Sequence, residues 1–414
     1  MKSTISTSEL SERLADPDLI VVDVRPMAAY NGWTLRREAR GGHIRGAVSL
    51  PKSWTRAVTA PGLVSLLGSK GITVSKTVVL YGYGEDDSAT MARTLRRLGF
   101  IDVRTYDSGL AEWAADDSLP MARLTNYEKL VHPRWLYSLI SGENPETYPG
   151  NGFLLFEVSS GEDEEYRAGH IPGAVHFDTN AIEEEPMWNR VSDQELEQVL
   201  PAHGITHEKT VVLYSHDRSA ATRAASILMY AGARDVRLLD GGLEAWTAAG
   251  HNVETKSHEP LPVETFGPTI PAHPEVILDT DDVRALLAHD EAVLVSVQSW
   301  SEYVGETSGY TYMQRKGHIA GALWGHPGSE SQSMEHFRNV DHTMRSYREI
   351  ESIWRDEGIT SDQRVIFYCG TGWRASEAFF CAYLMGWPDI SIYDGGWLEW
   401  SVEESRRIEV GIPV

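Results

Sequence analysis

The sequence predicts an α/β protein built from three tandem domains, each a small parallel sheet with helices on both faces. Three observations lead there. The first is a repeated segment: Gly42-His43-Ile44-Arg45-Gly46-Ala47, Gly169-His170-Ile171-Pro172-Gly173-Ala174 and Gly317-His318-Ile319-Ala320-Gly321-Ala322. The second is an apolar run ending in tyrosine at 77–81, 210–214 and 364–368. The third is spacing: from Tyr81, Tyr214 and Tyr368 to the glycine of a Gly-x-x-x-Trp segment (Gly109, Gly242, Gly396) the separation is 28 residues each time. Equal spacing across a loop and a helix argues for one fold used three times.

Each copy opens on a short apolar run, 19–24, 153–158 or 292–297, rich in β-branched residues and bounded by polar ones, as buried parallel strands are. The Gly-His-Ile segment follows, then the tyrosine-ending strand, a short polar loop and a helix-period stretch such as 375–385. Strands alternating with helices imply parallel pairing, and ligands of such sheets sit beyond the carboxyl ends of the strands. The loops after Tyr81, Tyr214 and Tyr368 are therefore the places to look. Proline and polar clusters mark the breaks, 114–133 first and then Pro260, Pro262, Pro268, Pro271 and Pro274, the second reading as a semi-rigid extended linker. The expected domains are 1–125, 126–259 and 275–414. Trp113, Trp246 and Trp400 recur at equivalent positions and read as core anchors.

With 60 acidic residues against 37 basic ones, the net charge of −23 disfavours nucleic acid and anionic lipid as partners. No apolar run approaches the roughly 20 residues that span a bilayer, and residues 1–10 lack an apolar signal core. The expected compartment is the cytoplasm for the chain as given, or the periplasm if a leader peptide was removed. Cys369 and Cys381 are the two cysteines, too few for a disulfide framework or a multi-cysteine zinc site.

Of the three strand-following loops, the third carries chemistry: Cys369-Gly370-Thr371-Gly372-Trp373-Arg374, opening a helix near Ala375. A thiol attacks poorly until ionised, and a helix N-terminus favours the thiolate. Two glycines let backbone N–H groups turn inward as an anion nest, and Arg374 adds a cation to its rim. Cys381, among Phe379, Phe380, Tyr383 and Leu384, reads as a small buried apolar residue. The aligned nucleophile position is Gly82 in the first copy and Ser215 in the second, so neither can form a persulfide. Those copies are expected to scaffold, shape the cleft or bind a partner, and Arg218 reads as a solvated charge.

These motifs resemble the rhodanese superfamily, whose hallmarks are the Gly-His-Ile-Pro-Gly-Ala segment, a cysteine opening the loop after a Val-Val-Leu-Tyr-like strand, and a Tyr-Asp-Gly-Gly-Trp signature, here Tyr393 to Trp397. The resemblance covers nearly the whole chain. It implies three rhodanese-like domains, the third catalytic, and double displacement: Cys369 takes the outer sulfur of a donor such as thiosulfate as a persulfide and passes it to a thiophilic acceptor, a thiol or cyanide. It further implies that Gly370, Thr371, Gly372, Trp373 and Arg374 bind the sulfur, donor or acceptor. The loop is also similar to that of mercaptopyruvate sulfurtransferases, with Trp373-Arg374 in place of Val-Thr. That likeness assigns His170 to the cleft and Arg315 to a substrate carboxylate, while Gln298 stands where the first copy has Arg25 of the Asp-x-Arg clamp.

A dual-specificity phosphatase needs five residues between cysteine and arginine; here there are four, a nest sized for sulfur. A docking module in a sulfur relay fed by a cysteine desulfurase stays open. It draws on the two cysteine-free copies and on insertions at 304–315 and 325–345, each a lid or a docking surface. His326, His336 and His342 have spacings that match no common zinc pattern, so no metal is expected. With no P-loop or Gly-x-Gly-x-x-Gly, no cofactor is assigned. The partners expected are a small sulfur donor and its acceptor, and the chain is expected to be a monomer.

Overall fold

The computed structural model describes residues 3–161, 163–216, 218–289 and 291–412. It divides into two compact units, Met1–Glu128 and Lys129–Val414. The first holds a four-stranded parallel sheet in the order Val48–Ser49, Leu19–Asp23, Thr77–Tyr81, Val103–Thr105. In the second unit lie two five-stranded parallel sheets. One runs Leu130–Val131, Asp235–Leu239, Thr210–Tyr214, Phe153–Ser159, Val175–Asp178. The other runs Ile277–Leu278, Ile390–Tyr393, Val365–Tyr368, Val293–Ser296, Leu323–Trp324.

Helices surround each sheet, so the central strands are buried along nearly their whole length and are mostly apolar. In the second unit the helices Arg218–Ala231 and Trp373–Met385, each following a tyrosine-ending strand, pack against one another. Ser226 and Ser376 share a 3.1 Å hydrogen bond across that contact. The proline-rich stretch after His251 has almost no regular structure, as expected, and is pinned by Val263 N–H donating to Pro201 O and His273 N–H to Tyr230 O. The first break is more ordered than its composition implied: Met121–Ala122 pairs antiparallel with His43–Ile44, closing the first copy.

The Gly-His-Ile repeat turns out to be a structural lock. His43, His170 and His318 each pair Nδ1 with the carbonyl of Tyr30, Tyr166 or Tyr303 and stack on that same tyrosine ring at 3.7–3.8 Å. The tyrosine hydroxyls in turn donate to Ala47, Ala174 and Ala322, the last residue of each segment. The isoleucine N–H donates to the strand-ending Tyr81, Tyr214 or Tyr368. One pattern thereby ties a helix, a loop and a strand in every copy. Trp113, Trp246 and Trp400 are core anchors as expected, their indole N–H groups donating to Pro120, Asn252 and Arg407 carbonyls.

Where the first strand meets Tyr81, Asp23 accepts from its hydroxyl and pairs with buried Arg25 at 2.6 Å. The second copy places Glu157 at this register: its side chain is fully buried and, among the described residues, neither carboxylate oxygen accepts a hydrogen bond. Burial, reinforced by Glu165 and Asp163, pushes its pKa up to about 7. The folded state then keeps a proton that the unfolded chain releases near 4.5, so stability declines as pH rises from there to about 7 and is level above. Glu157→Gln should remove about 3 kcal/mol of this penalty at pH 8 and little at pH 5, read as a rise in melting temperature confined to the higher pH.

Candidate functional site

The site is the loop after Val365–Tyr368. Cys369 is 1% exposed. The backbone carbonyls of Cys369 and Gly370 accept from Trp397 and Leu398 N–H at 2.7 and 3.0 Å, which fastens the loop to the start of the helix Gly396–Val402. Close approach requires a glycine there. Gly396 has φ +53, and a Cβ on it would lie 2.7 Å from both of those oxygens. A Cβ on Gly242, at φ +59, would lie 3.0 Å from Ser215 O in the second copy, and one on Gly109 equally close to Gly82 O, so the same close approach recurs in all three copies. Gly396→Ala is expected to displace the Cys369 loop and lower sulfur transfer about a hundredfold, whereas Gly242→Ala changes the rate only a few-fold, as steady-state assays will check.

The helix opening from the loop begins at Trp373, two residues earlier than its composition implied, because Gly372 turns at φ +89 and serves as its N-cap. Trp373, Arg374 and Ala375 therefore form the first turn, whose N–H groups lack intrahelical acceptors. This also redirects Arg374. Its guanidinium forms a bidentate pair with Glu302 at 2.8 and 3.0 Å, both side chains being almost fully buried. Ser299 donates to the same carboxylate through its N–H and hydroxyl. Burial opposes ionisation of Glu302, but Arg374 and Ser299 outweigh it and hold its carboxyl below the usual range. The free rim cation expected at Arg374 is thus neutralised by Glu302, and Arg374 lines the pocket as a paired residue.

The insertion at 304–315 lies over the loop: a Cβ on Gly370 would come within 2.7 Å of the Tyr310 ring and 3.0 Å of Met313. Tyr310 also faces Arg374, 5.9 Å from its ring centroid, and stands 5.3 Å from the Tyr312 ring. Burial pushes both phenols above their ordinary value, with Cys369 adding to the effect. Beside the loop opens a pocket of about 220 Å³. Thr371, Trp373 and Arg374 of the loop, Tyr310, Tyr312 and Gln332 of the insertions, and Ser160, Trp188 and Ser219 of the second copy line it. The insertion at 325–345 also reaches the second copy, Met344 N–H donating to Asp240 at 2.7 Å, while Arg338 pairs with Glu377 at 2.6 Å.

Two residues assigned to the cleft lie elsewhere. His170 is fully buried in the lock described above, with Nε2 facing the Lys256 carbonyl at 3.2 Å, and it does not line the pocket. Arg315 directs Nη1 to the carbonyls of Ser401 and Glu403 at the end of the Gly396–Val402 helix, where a cation complements exposed carbonyls, so it is a helix cap rather than a carboxylate clamp. Gln298 takes over the contact of Arg25, its amide facing Gly317 O as Arg25 faces Gly42 O. Of the insertion histidines, His326 pairs with Glu357 at 2.7 Å and His336 faces the His326 carbonyl. The side chain of Arg218 lies outside the described residues.

Sequence reasoning missed Glu302, Trp188, Glu183 and Arg223. Ser299-x-x-Glu302 was readable as a capping box, but its pairing with Arg374 spans 72 residues. The other three belong to the second copy and reach the site only through packing.

With three locks, three equivalent loops and three parallel sheets in view, comparison with known families is decisive. The rhodanese-like domain matches residues 6–116, 132–249 and 279–403. The chain belongs to the rhodanese family. This rhodanese is 42% identical over 391 residues, 94% of its length and 88% of the relative's, to the thiosulfate sulfurtransferase YnjE of Escherichia coli (strain K12). It superposes at TM-score 0.96 and 41% identity on a structure of EanB carrying a cysteine persulfide in a tetrahedral intermediate state with ergothioneine, over 99% of this chain and 100% of that one. An anaerobic ergothioneine biosynthesis enzyme from Chlorobium limicola, in complex with its natural substrate trimethyl histidine, matches at TM-score 0.96 and 40% identity over the whole of both chains.

Proposed function

We propose that this rhodanese is a sulfurtransferase in which Cys369 carries a persulfide and passes its outer sulfur to a trimethylammonium-bearing imidazole of the trimethyl-histidine class. The observation that carries the reading is the pocket wall. Trp188, Tyr310, Tyr312 and Trp373 offer π-faces of the kind that hold quaternary ammonium groups. Arg374, the one cation lining it among the described residues, is neutralised by Glu302, so the wall neither repels such a group nor attracts a bulky dianion. Residue spacing supports the same reading. In EanB the tyrosine that was substituted stands 59 residues before the persulfide cysteine, and a substituted threonine two after it. Tyr310 and Thr371 hold those positions relative to Cys369.

In the first half-reaction the thiolate of Cys369 attacks the outer sulfur of thiosulfate, the S–S bond breaks and sulfite departs with the electron pair, leaving Cys369 as persulfide. In the second, that outer sulfur bonds to the ring carbon between the imidazole nitrogens. The proton on that carbon moves to the ring nitrogen that lacked one, and the S–S electron pair returns to Cys369, giving a cyclic thione with both nitrogens protonated and a thiolate. Carbon is oxidised by the sulfane sulfur, which is itself reduced, so no further redox partner is needed. First-turn N–H groups of the helix at Trp373 stabilise the anionic sulfur.

A second reading, transfer to cyanide or a thiol, is favoured by the likeness to the E. coli thiosulfate sulfurtransferase. Mass spectrometry separates the two. Brief treatment with thiosulfate, and separately with mercaptopyruvate, should add one sulfur, about 32 Da, to Cys369. Trimethyl-histidine should then discharge it with formation of the thione. Discharge by cyanide or thiols alone would overturn the imidazole acceptor. Loading by neither donor would favour a protein-fed relay.

A further inference from the structure

The second copy of the fold has no cysteine, yet it supplies Ser160, Trp188 and Ser219 to the pocket wall, and one buried side chain organises that contribution. Arg223, on the helix Arg218–Ala231, is fully buried. Its Nε donates to Glu183 at 2.6 Å, and Nη2 pairs with Asp394 of the Tyr-Asp-Gly-Gly-Trp segment at 2.7 Å while also facing the carbonyl of Trp188 at 3.3 Å. Glu183 passes the constraint on, its carboxylate accepting the indole N–H of Trp373 at 3.0 and 3.1 Å. Asp394 accepts from Arg190 N–H, so the short ribbon of Glu183–Glu184 and Asn189–Arg190 is bound to the third copy at the same point.

Two further features converge on this side chain. Trp188 adopts φ +59, a backbone region that bulky residues avoid and that persists only where the surroundings over-determine it. The Nη1 of Arg223 has no hydrogen-bond partner among the described residues and comes within 3.2 Å of where a Cβ on Gly372 would stand, which leaves the nucleophile loop room for glycine alone.

We propose that Arg223 is a positioning residue for the acceptor: by binding Glu183, Asp394 and the Trp188 carbonyl at once, it sets the separation of Trp188 and Trp373, the indole walls contributed by the two copies. The cysteine-free copy is then a working part of the site rather than a spacer. This rests on the pocket being the acceptor site, as argued above. A planar guanidinium fork can serve three acceptors in fixed directions, and an ammonium group cannot.

The test uses the full-length enzyme with Arg223→Lys, which keeps the charge, and Arg223→Met. Three quantities are measured: the rate of persulfide loading on Cys369 from thiosulfate, the KM and kcat for trimethyl-histidine, and the rate of alkylation of Cys369 by neutral iodoacetamide. The expected result for Arg223→Lys is a KM raised about tenfold with loading unchanged, and alkylation accelerated by a similar factor as the walls part. Arg223→Met should exceed both effects; where it does not fold, the lysine variant decides. Unchanged KM and alkylation would overturn the proposal. So would a fall in loading and in apparent kcat in proportion to folded protein with KM unchanged, which is what a merely structural residue produces. If the wild-type enzyme does not consume trimethyl-histidine, the proposed acceptor is wrong, and the alkylation rate still decides the role of Arg223.

Discussion

Cys369→Ser is expected to abolish persulfide formation and to lower sulfur transfer by on the order of 10⁴-fold or more, the scale on which enzymes lose activity when their nucleophile is removed. A hydroxyl in the same place has neither the acidity of a thiol nor the capacity to form a sulfur–sulfur bond with the donor. The paired substitution gives the result its meaning. Cys381 is also buried, but it lies midway along the helix Trp373–Met385 rather than in the loop that precedes it. Cys381→Ser should leave transfer within about twofold, its main effect being a modest loss of stability from a hydroxyl in an apolar place. Peptide mapping after thiosulfate treatment checks both. Full transfer by Cys369→Ser, or labelling at Cys381, would sink the mechanism.

Glu302→Ala is expected to have the largest effect on stability, about 3–5 kcal/mol, because it strands the buried guanidinium of Arg374 without a counter-charge. It also removes the group on which Ser299, Arg374 and the N-terminus of the helix Trp300–Tyr303 converge. Since Tyr310 lies against both Arg374 and Gly370, the aromatic wall should loosen with it. Transfer activity should therefore fall more steeply than folded fraction, as parallel unfolding and rate measurements will establish. The pH dependence has a definite sign. The Glu302 carboxyl is held below 4.5 in the folded state, so its contribution is complete above that pH and is lost as pH falls through the lowered value. Acid denaturation of the wild type should accordingly be blunted in Glu302→Gln, which is less stable at neutral pH but has no charge to lose.

Much of the fold was legible because its signals are local or repeated. The strands expected at 77–81 and 210–214 are Thr77–Tyr81 and Thr210–Tyr214, those expected at 19–24, 153–158 and 364–368 differ by one residue at one end, and that expected at 292–297 by one residue at each end. Buried parallel strands announce themselves as apolar runs of that length whatever surrounds them. The 28-residue spacing was informative for a similar reason: Gly109, Gly242 and Gly396 must each touch the carbonyl at the nucleophile position, so the chain between is held to length. Family resemblance was a poorer guide to single side chains. His170 and Arg315 have the residue types a cleft would use, but their environments are a stacked tyrosine and a helix end.

By itself, then, the sequence determined that this is a three-copy parallel α/β protein with one cysteine-bearing loop, because periodicity, glycine positions and strand composition act over a few residues. Tertiary structure alone decided the electrostatics and walls of the pocket. Arg374 reads as a free cation until Glu302, 72 residues away, is brought within 2.8 Å of it. Arg223 reads as one more charged residue on a helix until packing of two copies places it between Glu183 and Asp394. Charge is cancelled or exposed by whatever lies across the fold, and distance along the chain carries no record of it.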